Sequence, residues 1–253
     1  MRLELQLECT PESILPFNYE YALSAWVYNV LYDADPTFAT FLHNEGYQST
    51  HHNKVFKLFT YSKILLEKPF QTNKRRGFIL IGGRAKLELS FLIDEAMQDF
   101  VVGLFKSQGL SIRIRGGKID FRVTGVQALP EPVFEPVMTF KAVKPIFMSK
   151  MVEGIKHPVY ISPNDNNYKA LFLGNLLDKG KTLGVITTNS LLDFGCLTTP
   201  RSKLFHIDGT QVRAFEYEFV IAAPVKLMRI GYYAGFGGKN SSLGLGFCVV
   251  KEN

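Results

Sequence analysis

A histidine, a tyrosine and a lysine lie close together in the first quarter of the chain. Their types suit proton transfer on a phosphodiester. His43 closes the segment FLHNEG, Tyr28 lies one helix earlier, and Lys57 opens KLFTYS. Metal-free cleavage of RNA needs a base to take the proton of a 2′-hydroxyl and an acid to protonate the departing 5′-oxygen. It also needs positive charge near the pentacoordinate phosphorus. Imidazole titrates near neutral pH and suits proton transfer, while an ammonium neutralises phosphate. The same residues have an ordinary reading. Tyr28 would then be core on an aromatic helix face, His43 a helix C-terminus, and Lys57 a solvated strand end. Residue type alone leaves both readings open. His51 and His52 lie in the polar stretch YQSTHHNK with only Glu45 nearby, so no metal site is expected. No GxSxG, GxxxxGK[ST], HExxH, paired CxxC or EF-hand pattern occurs, and no cofactor is expected.

The second chemical signal is the tail Gly231–Gly246, GYYAGFGGKNSSLGLG, in which six of sixteen residues are glycine. Glycine at this density allows close backbone approach. With Lys239, Asn240, Ser241 and Ser242 the loop offers N–H groups, hydroxyls and a cation suited to a phosphate backbone, and Gly237, Gly238, Lys239, Asn240 and Ser241 are the candidate contacts. Gly244 and Gly246, next to the last strand, are expected to be structural. The bland alternative is a glycine-rich connection between two late strands. Arg113 and Arg115, two apart in SIRIRGG, would project from one face of a strand and are further candidate RNA contacts. Basic residues also gather at Lys74–Arg76 and at Lys141, Lys144 and Lys150; the net charge is +6 and the pI about 9.1, a lean towards polyanions.

These groups need elements to position them. Residues 2–8 alternate leucine with polar partners and read as a strand. Pro16 and Asn18 can open a helix on which Tyr21, Ala25, Tyr28 and Tyr32 recur at spacings of three or four. Pro36 can open a second short helix, and FKLFTYSKI reads as a strand. GFILIGG and AKLELSFLI predict a hairpin around Gly82 and Gly83. Asp94 is expected to cap an amphipathic helix that Gly109 ends. SIRIR and KIDFRVTGVQAL form a second hairpin. The order is β-α-β-β-α-β, ferredoxin-like, with an extra helix and an extra strand. LPEPVFEP, with three prolines, marks a boundary between domains at 1–129 and 135–253. The second half predicts a strand in VMTFKAVKPIFM, a helix in YKALFLGNLLDKG, strands near 201–206 and 210–223, poor helix propensity after that, and a final strand. It reads as a degraded copy of the same order. The fold class is α+β, two tandem ferredoxin-like (RRM-like) domains.

At 253 residues and 46% hydrophobic content the chain can bury real cores. No stretch reaches the roughly 20 apolar residues of a membrane span. Three widely separated cysteines argue against a disulfide framework and for a reducing cytoplasm.

Taken together, the motifs resemble the CRISPR-associated repeat-RNA endoribonucleases of the RAMP superfamily. GYYAGFGGKNSSLGLGF is similar to that family's C-terminal signature, with two glycine clusters around a K-N-S centre. WVYNVLYDADPTFATFLHNEG and FKLFTYSKI resemble its active-site region. In that region a tyrosine on the first helix precedes a catalytic histidine in an L-H-x-x-G-like segment, and a lysine precedes an L-F-T-Y-S-like strand. The matching positions are Tyr28, His43 and Lys57. The chain departs from the pattern in GYQSTHHNKV, which is longer and more polar. His51 and His52 are rivals there to His43, and Lys54 to Lys57, although LFTYS directly follows Lys57. The resemblance implies two ferredoxin-like domains, a cytoplasmic location and no metal or cofactor. It implies cleavage of precursor CRISPR RNA within its repeats to a 2′,3′-cyclic phosphate and a 5′-hydroxyl. The implied partner is a CRISPR repeat RNA; effector-complex subunits and a second copy of the chain are further candidates. The competing expectation is a non-catalytic RNA-binding subunit of a CRISPR effector complex. The aromatic RNP strand of a general RRM protein is absent.

Overall fold

Leu3, Leu5 and Leu7 occupy one buried face of Arg2–Glu8 (β1), as a period of two requires. In the computed structural model, which describes residues 1–49, 54–107, 109–114, 117–185, 192–207 and 210–251, this strand is the centre of the first sheet. Helix α1 (Glu20–Ala34) buries Leu23, Trp26, Val27, Val30 and Leu31. Asp35 ends it and starts α2 (Pro36–Asn44): its N–H donates to the Leu31 carbonyl, while its carboxylate accepts from the Thr37 and Phe38 N–H groups. Proline at the first position of α2 has no N–H to satisfy. One residue therefore makes the whole corner between the two helices.

Next come β2 (Phe59–Tyr61), β3 (Arg84–Phe91), α3 (Asp94–Lys106), β4 (Gly109–Ile114) and β5 (Gly117–Ala128). The sheet runs β4-β5-β1-β3-β2 with antiparallel neighbours, and Leu65–Leu66 also pairs with β3. Helices α1 and α3 share one core with it, and Phe100 meets Trp26 edge-on.

Two local expectations fail here. The hairpin around Gly82 and Gly83 does not form. Gly77–Leu80 instead joins Ser13–Leu15 and Phe70–Asn73 in a small separate sheet. β3 crosses to the main sheet, where it pairs with β1 from Arg2↔Ser90 to Glu8↔Arg84. The glycines do turn the chain: Gly83 has φ +65°, and its carbonyl accepts from the Cys9 N–H. A long leucine-rich partner outweighs a short local one. Secondly, Asp94 is the first helical residue of α3 rather than its cap, and the helix ends at Lys106, leaving Gly109 to begin β4.

After an irregular segment, 129–136, the second half contributes β6 (Val137–Ala142), α4 (Tyr168–Thr182), β7 (Asp193–Cys196), the hairpin β8 (Arg201–Ile207) and β9 (Thr210–Glu216), β10 (Glu218–Ala222), α5 (Val225–Ala234) and β11 (Cys248–Val250). Its sheet runs β7-β10-β6-β11, again antiparallel. Phe140, Phe172, Phe194, Phe219 and Phe236 form the middle of its core. Helix α5 stands where the sequence predicts little helix. Burial of Leu227, Met228, Ile230, Tyr232 and Tyr233 outweighs weak propensity. The tail therefore links a helix, not a strand, to β11. Among the described residues no helix is long and apolar enough to cross a membrane.

Buried polar ties join the halves. The Arg2 guanidinium, 2% exposed, donates to the carbonyls of Tyr232 (2.7 Å) and Cys248 (2.6 Å) and stacks on the Tyr232 and Phe247 rings. Ser90 Oγ donates to the Tyr233 carbonyl. Lys144, expected with the surface cations, is instead buried and paired with Glu20 at 2.9 Å. Lys63 pairs with Glu216.

Replacing Arg2 by Met should leave two buried carbonyls unsatisfied and cost about 2–4 kcal/mol, read from the urea midpoint. Lysine should recover only part, because one ammonium does not reproduce the guanidinium fork. An unchanged midpoint in Arg2→Met would remove Arg2 from the joint.

Candidate active site

The α1–α2 corner fixes the geometry of the candidate groups. Because Asp35 turns the chain within one residue, α2 folds back along α1. The His43 ring then meets the Tyr28 ring edge-on, with centroids 4.9 Å apart. Tyr28 also meets Phe59 of β2 edge-on at 5.5 Å, so its ring is set from the sheet side. Lys57 approaches from the segment before β2 and donates from Nζ to the His43 main-chain carbonyl at 2.7 Å. That carbonyl lies in the last turn of α2, where the helix dipole favours a cation. The three residues singled out in the sequence thus meet. Rings of Tyr28 and His43, with Asn29, Tyr32 and Asn44, line a shallow cavity of about 210 Å³.

Each group is tuned by its surroundings. His43 is exposed, and its Nδ1 lies 2.9 Å from Asn44 Oδ1. An amide oxygen only accepts, so this contact selects the tautomer with hydrogen on Nδ1 and leaves Nε2 as an acceptor towards solvent. Burial raises the Tyr28 hydroxyl to about 12, and a hydrogen bond with Ser242 pulls it the other way. Tyr28 is therefore a neutral donor at physiological pH. Partial burial lowers the Lys57 ammonium from the usual lysine value. Sequence reasoning gave Asn44 no role and used Ser242 only as a loop hydroxyl. The signal for Asn44 was its place beside His43; nothing local pointed Ser242 at Tyr28.

Of the rivals, Lys54 is engaged elsewhere, its ammonium 2.6 Å from Asp178 of α4. His51 and His52 lie outside the described residues, as does Arg115. The backbone of Arg113 is in β4, opposite Lys118. β4 is at the far edge of the sheet from β2, four strand spacings or about 19 Å away. The structure does not bring Arg113 to His43.

The glycine tail is largely packed. Lys179 of α4, fully buried, donates to the carbonyls of Gly235 (2.6 Å) and Gly237 (3.3 Å). Gly237 is buried, with an added Cβ 2.8 Å from Ile146 Cγ2. Gly238 has only ordinary contacts, and Lys239 is exposed. Ser241–Leu243 forms a 3-10 turn that carries Asn240 and Ser241 at the surface of the loop and Ser242 to Tyr28. Gly244 and Gly246 leave no room: at Gly246, φ +81°, a side chain would collide with the Phe236 carbonyl. Among the described residues no three His, Cys, Asp or Glu side chains converge.

Comparison with known proteins places the whole chain. Residues 14–127 match the family described as CRISPR-associated protein Cas6, N-terminal, and residues 129–250 match CRISPR associated protein Cas6, C-terminal. A protein of Methanocaldococcus jannaschii, "CRISPR-associated endoribonuclease Cas6 1", is 28% identical, with 100% of this chain and 94% of that protein covered. "CRISPR-associated endoribonuclease Cas6" of Pyrococcus furiosus is 26% identical over 94% of this chain and 84% of its own length. A solved structure, "CRISPR associated protein Cas6", superposes with a TM-score of 0.81 at 28% identity, covering 100% of this chain and 99% of that one. The chain has that two-domain fold of mixed α and β.

Burial lowers the Lys179 ammonium to about 7, with Lys54 adding to the effect and Cys248 opposing it. The unfolded chain then binds the extra proton between pH about 7 and the usual lysine value of about 10.4. Stability from this group should rise with pH through that window and fall as pH drops towards 7. Lys179→Met should flatten that rise, measured as unfolding free energy against pH; an unchanged profile would leave Lys179 without that role. In the tail, Gly246→Ala should lower the unfolding midpoint clearly and Gly238→Ala hardly at all. Equal effects would remove the packing argument.

Proposed function

Because the chain belongs to the Cas6 family of CRISPR-associated proteins, we propose that it is an endoribonuclease that cuts precursor CRISPR RNA within its repeats. The observation that carries the reading is the meeting of the His43 and Tyr28 rings at one cavity, with Lys57 bonded to the His43 main-chain carbonyl beside it. His43 Nε2 takes the proton of the 2′-hydroxyl, and O2′ attacks the adjacent phosphorus. The bond from phosphorus to O5′ breaks, and O5′ takes a proton from the Tyr28 hydroxyl. The products are a 2′,3′-cyclic phosphate and a 5′-hydroxyl. Lys57 stabilises the negative charge on the phosphorane, and the step uses no metal. Asn44 holds the imidazole tautomer, and Ser242 holds the phenol.

In this reading the chain is two ferredoxin-like domains, 1–129 and 135–253, working in the cytoplasm. The sheet orders β5-β1-β3-β2, with α1, α2 and α3 between its strands, and β11-β6-β10-β7, with α4 and α5, support that description. Gly238, Lys239, Asn240 and Ser241 contact the RNA backbone from the loop surface. Gly237 contributes by shaping the loop. Arg113 and Arg115 meet a more distant part of the RNA.

Incubation of host repeat RNA in EDTA should give one cut with the stated ends. Complete loss, restored by Mg²⁺, would sink the mechanism. A 2′-deoxy nucleotide just upstream of the cut should stop cleavage and spare binding. His43→Ala should slow cleavage by roughly 10²-fold or more with little change in RNA affinity. Tyr28→Phe and Lys57→Met should each slow it measurably. Binding without cutting by the wild-type chain would instead favour the non-catalytic RNA-binding subunit.

A further inference from the structure

One feature of the sequence is left over by the mechanism: the tyrosine stripe on α1. Tyr21, Ala25, Tyr28 and Tyr32 share one face, within an arc of roughly 40° for the three tyrosines at 100° per residue. Only Tyr28 has its ring packed between His43 and Phe59. Tyr21 is 63% and Tyr32 54% exposed, an uncommon state for two large aromatics on one helix. They are about 16 Å apart along the axis, at 1.5 Å per residue. The cavity at His43 is bounded by Tyr32 and Asn29. A second, of about 440 Å³, continues from Asn29 past Ala25 to Tyr21, with Gly109 and Ser111 of β4 as its other wall. Asn29 lines both, so the two depressions adjoin on the surface of α1.

This surface has a distinct chemistry. Among the described residues none that line it is lysine or arginine, and Asp33 is one of them. The nearby Lys106 ammonium is spent on the Asp33 main-chain carbonyl. Such a surface repels phosphates and offers rings and an amide to bases. By contrast, the cavity between the halves holds Lys63, Lys141 and Arg201 together with Glu216 and Glu218.

We propose that the exposed face of α1 is a track for unpaired RNA on one side of the cut, with Tyr32 and then Tyr21 stacking on its bases. The inference rests on the endoribonuclease reading for the identity of the strand. Whatever strand is cut at His43 must continue from it, and the second depression adjoins that cavity at Asn29. Stacking is tolerant of base identity and does not depend on neutralising phosphate. It therefore positions the strand without adding a salt-dependent term.

The test is the Kd of host repeat RNA carrying 2′-deoxy at the cut, measured at two salt concentrations. Tyr32→Ala and Tyr21→Ala should each weaken binding about tenfold, with the salt slope unchanged. Tyr32→Phe should keep wild-type affinity, and Phe105→Ala, an exposed aromatic on α3, should change nothing. Deleting the RNA on one flank should erase the difference between wild type and the double Ala variant; deleting the other should preserve it. Unchanged affinity in the double variant, a flattened salt slope, or a difference that survives both deletions would overturn the track. Cleavage of unmodified RNA by the wild type is scored separately. If it fails, the nuclease reading fails, while the Kd comparison still decides whether the tyrosines bind RNA.

Discussion

The C-terminal end of α5 leaves a run of carbonyls pointing into the joint between the halves, and the rest of the structure depends on how they are satisfied. Arg2 takes Tyr232, Ser90 takes Tyr233, and Lys179 takes Gly235 and Gly237. A helix end buried without partners would be costly, and cations are the favoured ones there. Two of the partners come from the central strands of the first sheet, the third from α4. Each half therefore completes the other: β1 and β3 supply donors that the second half lacks, and α5 supplies acceptors that would otherwise leave Arg2 buried and unpaired.

This joint is also what places the chemistry. The carbonyls held by Lys179 begin the glycine tail, and the tail's 3-10 turn carries Ser242 to Tyr28. Lys144 and Glu20 pin the start of α1 from the second half, and the Tyr61 hydroxyl donates to the Glu20 carbonyl. Helix α1 is thus pinned at its first turn, and the tail's 3-10 turn lies against it. His43 hangs from α2, whose direction Asp35 sets against α1. The candidate set is a property of the joined molecule, although all three of its residues lie in the first 57.

The tail's glycines divide by the same logic. Gly244 and Gly246 are needed because Tyr61 and the Phe236 carbonyl occupy the space a side chain would take. Gly238 has no such neighbour, and Lys239 beside it is exposed. Glycine content therefore reports the packing of the loop's two ends more than its middle. The solvent-facing centre is the part free to meet a ligand.

The sequence by itself determined the elements whose signals are local: the alternating leucines of β1, the paired helices with Pro36 opening the second, the hairpin of β4 and β5, and α4. It also singled out Tyr28, His43 and Lys57 by type and by resemblance. Tertiary structure decided the rest, for reasons of reach. β3 chose β1 over the nearer Gly77–Leu80, because burying a long leucine face outweighs closing a short turn. α5 formed against its propensity because the second core buries five of its large side chains. Lys144 reads as a surface cation until Glu20, 124 residues away, accounts for it. Ser242 reads as a loop hydroxyl until the tail is folded onto α1. No local pattern records contacts at such separations, and these contacts hold the helix that carries the phenol to the imidazole.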